Sequence, residues 1–342
     1  MNTIRLGFIG LGGIYRQRHM PGLQRIDGLE FSAVVNRSRE SSERAAEEFG
    51  IANVCDTWEE LIARDDIDAV CIGTWPYMHK SMSIAALEAG KHVFCQARMS
   101  MNYGEARAMY HAAEARDRVA MLCPVPFGLS IDKTIAKILD RGDLGDITLV
   151  RVNSLTGAFA DPATPLNWRK DHRLSGLNMH TLGMYIEVIH RWFGWTQSVS
   201  ARSNIFAEQR IDETGEHVNV EIPDQYLLNT QTQSGVPVQY TMSTVAHHAV
   251  DEIHIYGTQG TLHYDVFRDQ LHFAKVGDKM APVTIASGDE YDLKNWRVES
   301  DFIDAIRTGA DYHPNFEDGL RYMHVVQAAH DSAASGNTIN LD

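Results

Sequence analysis

A chain of 342 residues is long enough for two domains and a large buried core. With 44% hydrophobic and 22% charged residues it reads as globular, and no apolar run approaches the ~20 residues of a membrane span. The formal net charge of -14 argues against non-specific attachment to nucleic acid or an anionic membrane surface, but not against a small anion in a locally basic pocket. The first strand contains Arg5 and soon meets glycines, which is not the pattern of a secretion signal, so the expected location is the cytoplasm.

Ile4 to Ile9 reads as a strand, Gly10-Leu11-Gly12-Gly13-Ile14 as a glycine turn entering a helix, and Ser32 to Val35 as a second strand ending at Asn36-Arg37. Strand, glycine turn, helix and strand make the opening of a dinucleotide-binding unit. Gly10 permits the sharp turn, and Gly12 lets the backbone approach a pyrophosphate. The next helix offers that anion its free N–H groups and positive dipole end. The third small residue of the fingerprint is missing: Tyr15, a bulky side chain, falls where helix and strand should pack closely.

Glu40 to Gly50 has helical spacing, and Trp58 to Ile62 is a short helix. Asp68 to Thr74 is a third strand, followed by the loop Trp75-Pro76-Tyr77-Met78-His79 and an alanine-rich helix to Gly90. His92 to Gln96 is a fourth strand, Ala106 to Arg118 a helix and Val119 to Cys123 a fifth strand. Continuous apolar strands alternating with helices predict a parallel sheet covered on both faces. Ligands of such sheets sit beyond the strand C-termini, where the strand order reverses. Gly10, Asn36, Thr74 and Gln96 are therefore expected to share one crevice.

Pro124 and Pro126 mark a change of pattern. An amphipathic helix spans Ile131 to Leu139, a strand begins at Ile147, and a helix spans Asn178 to Phe193. Residues 197–285 alternate polar and apolar with turn pairs between, which predicts a largely antiparallel sheet with one exposed face. Two helices close the chain, Trp296 to Thr308 and Phe316 to Ser335. The predicted class is α/β. Residues 1–123 are expected to form a doubly wound dinucleotide-binding domain, and 124–342 an α+β domain, with an interface cleft shared by the two.

Cys55, Cys71, Cys95 and Cys123 form no CxxC pair, and Cys71 and Cys95 read as core residues. The sixteen histidines show no HExxH or HxH spacing, and neighbours such as His247-His248 point to opposite faces of a strand. No metal site is expected.

Further motifs run the length of the chain: Thr74-Trp75-Pro76-Tyr77-Met78-His79, Ala85 to Val93, Leu144-Gly145, Gly257-Thr258-Gln259-Gly260-Thr261 and Phe316-Glu317-Asp318-Gly319-Leu320. Together with the glycine turn, they resemble the Gfo/Idh/MocA family (glucose–fructose oxidoreductase, inositol dehydrogenase and rhizopine catabolism). The resemblance implies a Rossmann domain, NAD(P), sugar or polyol substrates, and a C-terminal open sheet through which a homo-oligomer, dimer or tetramer, assembles. It also implies a Glu-Lys-Pro after the fourth strand, where this chain has Gln96-Ala97-Arg98, and an Asp and a His four residues apart on a later helix. Anchored on Gly183, those two positions are Thr181 and Tyr185. A dehydrogenase needs a group to remove the hydroxyl proton as hydride leaves, and all three usual residues are replaced.

The candidates for that chemistry are Tyr185, His180, Arg98 and Arg169. A tyrosine serves as acid or base if a cation lowers its pKa, and otherwise packs as an aromatic. An imidazole, with a reference pKa near ~6.5, suits neutral pH, though His180 also fits a cap. The helical reading sets it about 140° around from Tyr185 at ~100° per residue. Arg98 can hold an oxyanion or carboxylate, or form a surface salt bridge, but is a poor proton acceptor. The resemblance brings Trp168-Arg169 to the substrate. Cofactor contacts are expected from Gly10, Gly12, Gly13, Ile14, Asn36, Arg37, Thr74, Trp75, Tyr77, His79, Gln96 and Trp168, with His79 shaping the nicotinamide pocket. A neutral Asn36 followed by Arg37, which can pair with a 2′-phosphate, leans the cofactor toward NADP over NAD; Arg37 stacking on adenine in an NAD enzyme is the other reading. The functional reading is an NAD(P)-dependent oxidoreductase acting on a sugar, sugar acid or polyol. The alternatives are a redox-neutral hydratase, lyase or glycosidase retaining the cofactor fold, and a non-catalytic nucleotide or sugar sensor.

Overall fold

The computed structural model describes residues 3–124, 131–283 and 297–341. Pro126, residues 284–285 of the alternating stretch and the predicted helix start at Trp296 lie outside the described residues. The chain divides into two compact units.

The first unit carries a six-stranded parallel sheet. In chain order its elements are β1 (Ile4–Ile9), a π-helical turn (Tyr15–His19) running into α1 (Met20–Leu23), β2 (Leu29–Val35), α2 (Arg39–Phe49), β3 (Asn53–Val54), α3 (Trp58–Ala63), β4 (Ala69–Ile72), α4 (Pro76–Glu88), β5 (His92–Cys95), α5 (Tyr103–Glu114) and β6 (Ala120–Leu122). The strand order β3-β2-β1-β4-β5-β6 reverses between β1 and β4. Two-residue β3 was not expected from sequence, because it carries no alternation of its own and pairs only with Ala33 and Val34. β4 and β6 are buried throughout and β1 in all but Arg5, as expected for a sheet covered on both faces, whereas β2 is buried only from Ser32 onward. Ser38, Thr57 and Asn102 cap α2, α3 and α5 by accepting from backbone N–H groups three residues on.

Tyr15 fits because Gly73 makes room for it. A Cβ on Gly73 would lie 2.6 Å from the Tyr15 ring and 2.5 Å from Gly10 O. The ring is fully buried and meets Phe8 edge to face. The close packing that the fingerprint assigns to a small residue on the helix is thus achieved from the strand side.

The expected second domain of 124–342 needs one correction. Residues 297–320, containing α9 (Val298–Thr308) and the start of α10 (Phe316–Ser335), belong to the first unit. Val298, Phe302, Ile303 and Ala305 join the core of Leu6, Phe8 and Tyr15. Residues 312–315 cover the edge strand β6: Leu122 N–H donates to Pro314 O at 2.8 Å, and Ala120 N–H to Tyr312 Oη at 3.1 Å. An exposed edge strand needs such cover, and the local pattern of residues 297–320 does not reveal which sheet supplies it.

The second unit holds α6 (Asp132–Asp140), β7 (Ile147–Leu155), α7 (His172–Ser175), α8 (Leu182–Phe193), β8 (Thr196–Asn204), β9 (Gln209–Ile211), β10 (His217–Asn219), β11 (Gln225–Thr232), β12 (Pro237–Ser243), β13 (Val250–Gly257), β14 (Gly260–Asp265), β15 (Gln270–Lys275), β16 (Ala281–Pro282), most of α10 and β17 (Ile339–Asn340). Nine strands form one sheet in the order β16-β15-β14-β13-β7-β12-β11-β8-β17, with β9 and β10 as a separate hairpin. Only the β7–β12 pair of the nine-stranded sheet is parallel. One face is buried and the other half-exposed, as the alternation of β11 and β14 predicts. Among the described residues no helix is long and apolar enough to cross a membrane.

Candidate active site

In the first unit, a cavity of about 700 Å³ opens at the strand C-termini where β1 and β4 meet. Gly10, Gly12, Asn36, Arg37, Thr74, Trp75 and Tyr77 all line it. Of the four residues expected to share one crevice, Gly10, Asn36 and Thr74 line this cavity. Gly10 takes a left-handed φ of +80, and a Cβ there would lie 2.9 Å from Thr74 N, so the turn requires glycine. Past it, the backbone is open: a Cβ on Gly13 meets nothing within 4 Å. Gly13 and Ile14 lead directly into the π-helical turn at Tyr15.

Whether these residues fit a dinucleotide turns on Asn36. Its side-chain amide donates to Ser41 O at 3.0 Å, which fixes the side chain on α2. Among the described residues, its buried Oδ1 has no hydrogen-bond partner. A buried acceptor without a donor is costly unless a ligand supplies one. Placed at the end of β2 on the cavity wall, it suits a ribose hydroxyl. Arg16, Arg37 and Arg44 also line the cavity, against Asp56 and Glu59. Open backbone at the turn, an unsatisfied acceptor and cations on the wall fit a nicotinamide dinucleotide.

Two predicted contacts lie behind the wall instead. His79 is fully buried. Its Nδ1 faces Arg98 O at 2.9 Å and Met99 O at 3.2 Å, and its Nε2 faces Thr74 O at 3.0 Å. Burial holds this imidazole below its ordinary pKa, while the three carbonyls pull the other way. His79 thus clamps the loop after β4 to the segment after β5. Gln96, at the end of β5, is also buried, and its Nε2 donates to His19 Nε2. His19 Nδ1 in turn donates to Glu299 Oε1. This tautomer is the one that satisfies both partners. His19 and Glu299 were not anticipated; they lie 280 positions apart, and neither belongs to a local motif.

Arg98 is buried rather than paired at the surface. Ala97, at the position of the family lysine, is half-buried. The buried thiols Cys71 and Cys95 are pushed up to about 12 by burial, in keeping with core roles.

In the second unit the structure reverses the reading of Tyr185. The side chain is fully buried, and its hydroxyl donates in a tight hydrogen bond to Asp251 on β13. The group facing it is a carboxylate, not the cation that a tyrosine base needs. Burial and Asp251 push the hydroxyl well above the usual phenol range. Burial also raises the Asp251 carboxyl. A phenol held this firmly in its neutral form is a packing and hydrogen-bonding group.

His180 changes in the opposite direction. The predicted helix from Asn178 starts only at Leu182, so the 140° separation does not apply: His180 lies before α8, not on it. It is half-exposed, and its backbone is left-handed with φ 43. That region is uncommon for non-glycine residues and costs roughly 1–3 kcal/mol; His248 and Asp269 adopt it as well. Thr181, the family aspartate position, bonds through its hydroxyl to Ser154 Oγ at 3.0 Å.

Arg169 is exposed and lies 4.3 Å over the Trp168 ring. The lysine beside it, Lys170, is buried, with Nζ donating to Asp224 Oδ1 at 2.6 Å and Pro223 O at 2.9 Å. It fixes the strap that presents Trp168 and Arg169.

Comparison with known proteins gives matches over both units. Residues 4–123 match the oxidoreductase family with an NAD-binding Rossmann fold, and residues 133–263 match the GFO/IDH/MocA C-terminal domain. Levoglucosan dehydrogenase of Pseudarthrobacter phenanthrenivorans is 24% identical, covering 100% of this chain and 99% of its own. The scyllo-inositol 2-dehydrogenase (NADP(+)) IolW of Bacillus subtilis is 25% identical, covering 100% and 97%. Among solved structures, levoglucosan dehydrogenase in complex with NADH and L-sorbose superposes with a TM-score of 0.88 at 23% identity, covering 100% of both chains; that likeness shows the fold.

Proposed function

The chain belongs to the Gfo/Idh/MocA family of oxidoreductases, and from that premise we propose that it is a dehydrogenase oxidising one hydroxyl of a sugar, sugar acid or polyol, with NADP preferred over NAD. The carrying observation is the first-unit cavity, where the glycine turn and the unpartnered Asn36 Oδ1 meet. The substrate class is supported by the printed activities of the relatives, levoglucosan dehydrogenase and scyllo-inositol 2-dehydrogenase.

In this reading Gly10, Gly12, Gly13 and Ile14 take the pyrophosphate, while Asn36 accepts from a ribose hydroxyl. Thr74, Trp75 and Tyr77 lie along the remaining wall. The bound nicotinamide supplies the hydride acceptor. His180 takes the hydroxyl proton, because it is the half-exposed imidazole of the set and Tyr185 is committed to Asp251. Arg169 anchors the substrate's oxygen atoms, with Trp168 beneath it as a platform. Gln96, His79 and Arg98 hold the segment around Ala97 in shape rather than touching the reacting atoms. The substrate partner is a small carbohydrate, and the open sheet of the second unit carries a homo-oligomer.

Turnover across a panel of sugars, sugar acids and polyols tests the reading. We expect stoichiometric appearance of reduced nicotinamide with at least one of them. Product without net reduction would establish a redox-neutral enzyme instead, the outcome favoured by the absence of the lysine at Ala97. Cofactor binding with no product on any panel member would establish a sensor.

The cofactor lean has its own test. Arg37 is exposed on the cavity wall beside a neutral Asn36, so a 2′-phosphate would meet a cation at the strand end where NAD enzymes favour an acidic residue. Arg37→Ala is expected to raise the KM for NADP about ten- to a hundredfold while changing that for NAD by less than about threefold, the loss of one charge-assisted hydrogen bond. Equal effects on the two cofactors would assign Arg37 to adenine stacking.

A further inference from the structure

We propose that Glu252, His254 and His263 form a binding site for a zinc-class divalent cation on the half-exposed face of the nine-stranded sheet. This site is independent of the dehydrogenase reading and uses none of its residues.

Strand alternation places the three together. On β13, Ile253 and Ile255 are buried, and Asp251, two residues before Ile253, meets Tyr185 of α8. Glu252 and His254 therefore project from the opposite face. On β14, Leu262 and Tyr264 are buried, and His263 between them shares the face of Glu252 and His254. The register pairs His254 with His263 directly across the two strands. Neither sequence rule used above can find this. The chelating pattern is Glu-x-His on one strand plus a histidine 9 positions later on the next, brought opposite only by the hairpin.

The three side chains converge on one point. His254 Nε2 lies 3.3 Å from Glu252 Oε1, and His263 Nε2 lies 3.2 Å from Glu252 Oε2. The three ligand atoms lie within 4.8 Å of one another. Zinc bound at ~2.0–2.1 Å in a tetrahedral site spaces its ligand atoms by ~3.3 Å, so the ligand atoms draw in and one imidazole rotates until both ring planes contain the ion. Two imidazoles and one carboxylate suit zinc, cobalt or nickel, whereas magnesium and calcium prefer oxygen throughout. With three protein ligands from this chain, a fourth position of a tetrahedral site is left for another ligand.

Surrounding groups hold the ligands in place, as metal sites require. Asn153 Nδ2 donates to Glu252 Oε1 at 2.9 Å, leaving Oε2 as the oxygen for the metal. The His254 and His263 rings stack at 4.2 Å, so binding one ion turns one of them out of that stack, while Tyr256 beside His254 and His272 of β15 beside His263 flank the pair. Arg151 of β7 pairs with His254 in the register and favours an anion in the open position. Binding requires each Nε2 to be free of its proton, so the imidazoles carry it on Nδ1 in the metal-bound state.

The test uses the full chain after removal of bound metals by a chelator. Zinc is titrated calorimetrically, and cobalt by its visible absorption, which reports tetrahedral nitrogen and oxygen ligation. We expect one zinc per chain in a saturable site. Glu252→Gln and His263→Ala should each weaken it at least about tenfold, with His217→Ala, on β10, as the unaffected control. Circular dichroism confirms that each variant remains folded. Absence of a saturable zinc site overturns the proposal and leaves the cluster as hydrogen bonds from two histidines to a carboxylate. Binding that persists unchanged in both Glu252→Gln and His263→Ala overturns it as well.

Discussion

Replacing His180 with alanine is expected to lower kcat about 100- to 10,000-fold, while Tyr185→Phe stays within about threefold, because general-base assistance contributes on that scale and a packed, neutral phenol contributes none. The contrast rests on where the structure puts the two side chains. Tyr185 is enclosed, and its hydroxyl is engaged with Asp251, so removing it changes the second unit's interior. His180 is half-exposed on a strained turn ahead of α8. Alanine also alters the backbone there, since it tolerates a left-handed φ poorly. His180→Asn separates the two effects: asparagine accepts that conformation but cannot serve as a base. It should fold as the parent does and show the same loss of kcat as His180→Ala. Cofactor affinity, measured directly, should hold in both, since Gly10, Asn36 and Arg37 are untouched. Near-normal turnover in His180→Asn would remove His180 from the chemistry.

The outcome for these residues shows what one sequence discloses. Gly10, Gly12, Asn36 and Thr74 were legible because each stands at a strand end, and strand ends of a parallel sheet converge whatever the side chains are. Cys71 and Cys95 were legible for the same reason, as members of continuously buried strands. Tyr15 looked like a defect in the fingerprint because its compensation, Gly73, lies on another strand. Tyr185 looked like a base because it stands at the position of the family histidine; the carboxylate that its hydroxyl meets is 66 residues away. His19 and Glu299 were invisible on the same grounds, since a buried pair is defined by tertiary contact and has no period. The 297–320 segment was assigned to the wrong unit because it reads as ordinary amphipathic helix, and nothing local says that its apolar side completes the first core. Periodicity discloses elements and strand ends. It does not disclose which polar groups meet in the interior, and protonation depends on those meetings.

Lys170 makes the same point with the largest expected effect on stability. By sequence it is one more basic residue beside Arg169. In the structure it is buried against Asp224, which is also buried. Asp224 ties two segments to its own: Oδ1 accepts from Lys170, and Oδ2 accepts from the N–H groups of Phe206 at 2.8 Å and Ala207 at 3.3 Å. Burial pulls the Lys170 ammonium below its ordinary pKa, and Asp224 opposes that pull. Lys170→Met keeps the length and apolar stem but leaves a buried carboxylate without its cation. Breaking one side of a buried pair costs about 3–5 kcal/mol. The two backbone N–H groups retained by Asp224 place this case near 3, which lowers the melting temperature by roughly 6–12 °C for a unit of this size. Thermal unfolding followed by circular dichroism measures it. Lys170→Met with Asp224→Asn should recover part of the loss, because the uncompensated charge is then gone while the amide oxygen still accepts from the backbone. A single variant that melts with the parent would show that water reaches Asp224. If the double variant is no better than the single, the damage lies in the strap carrying Trp168 and Arg169 and not in the stranded charge. KM for the substrate separates these further: a stranded charge destabilises without touching Arg169, whereas a loosened strap raises KM at temperatures where the chain is fully folded.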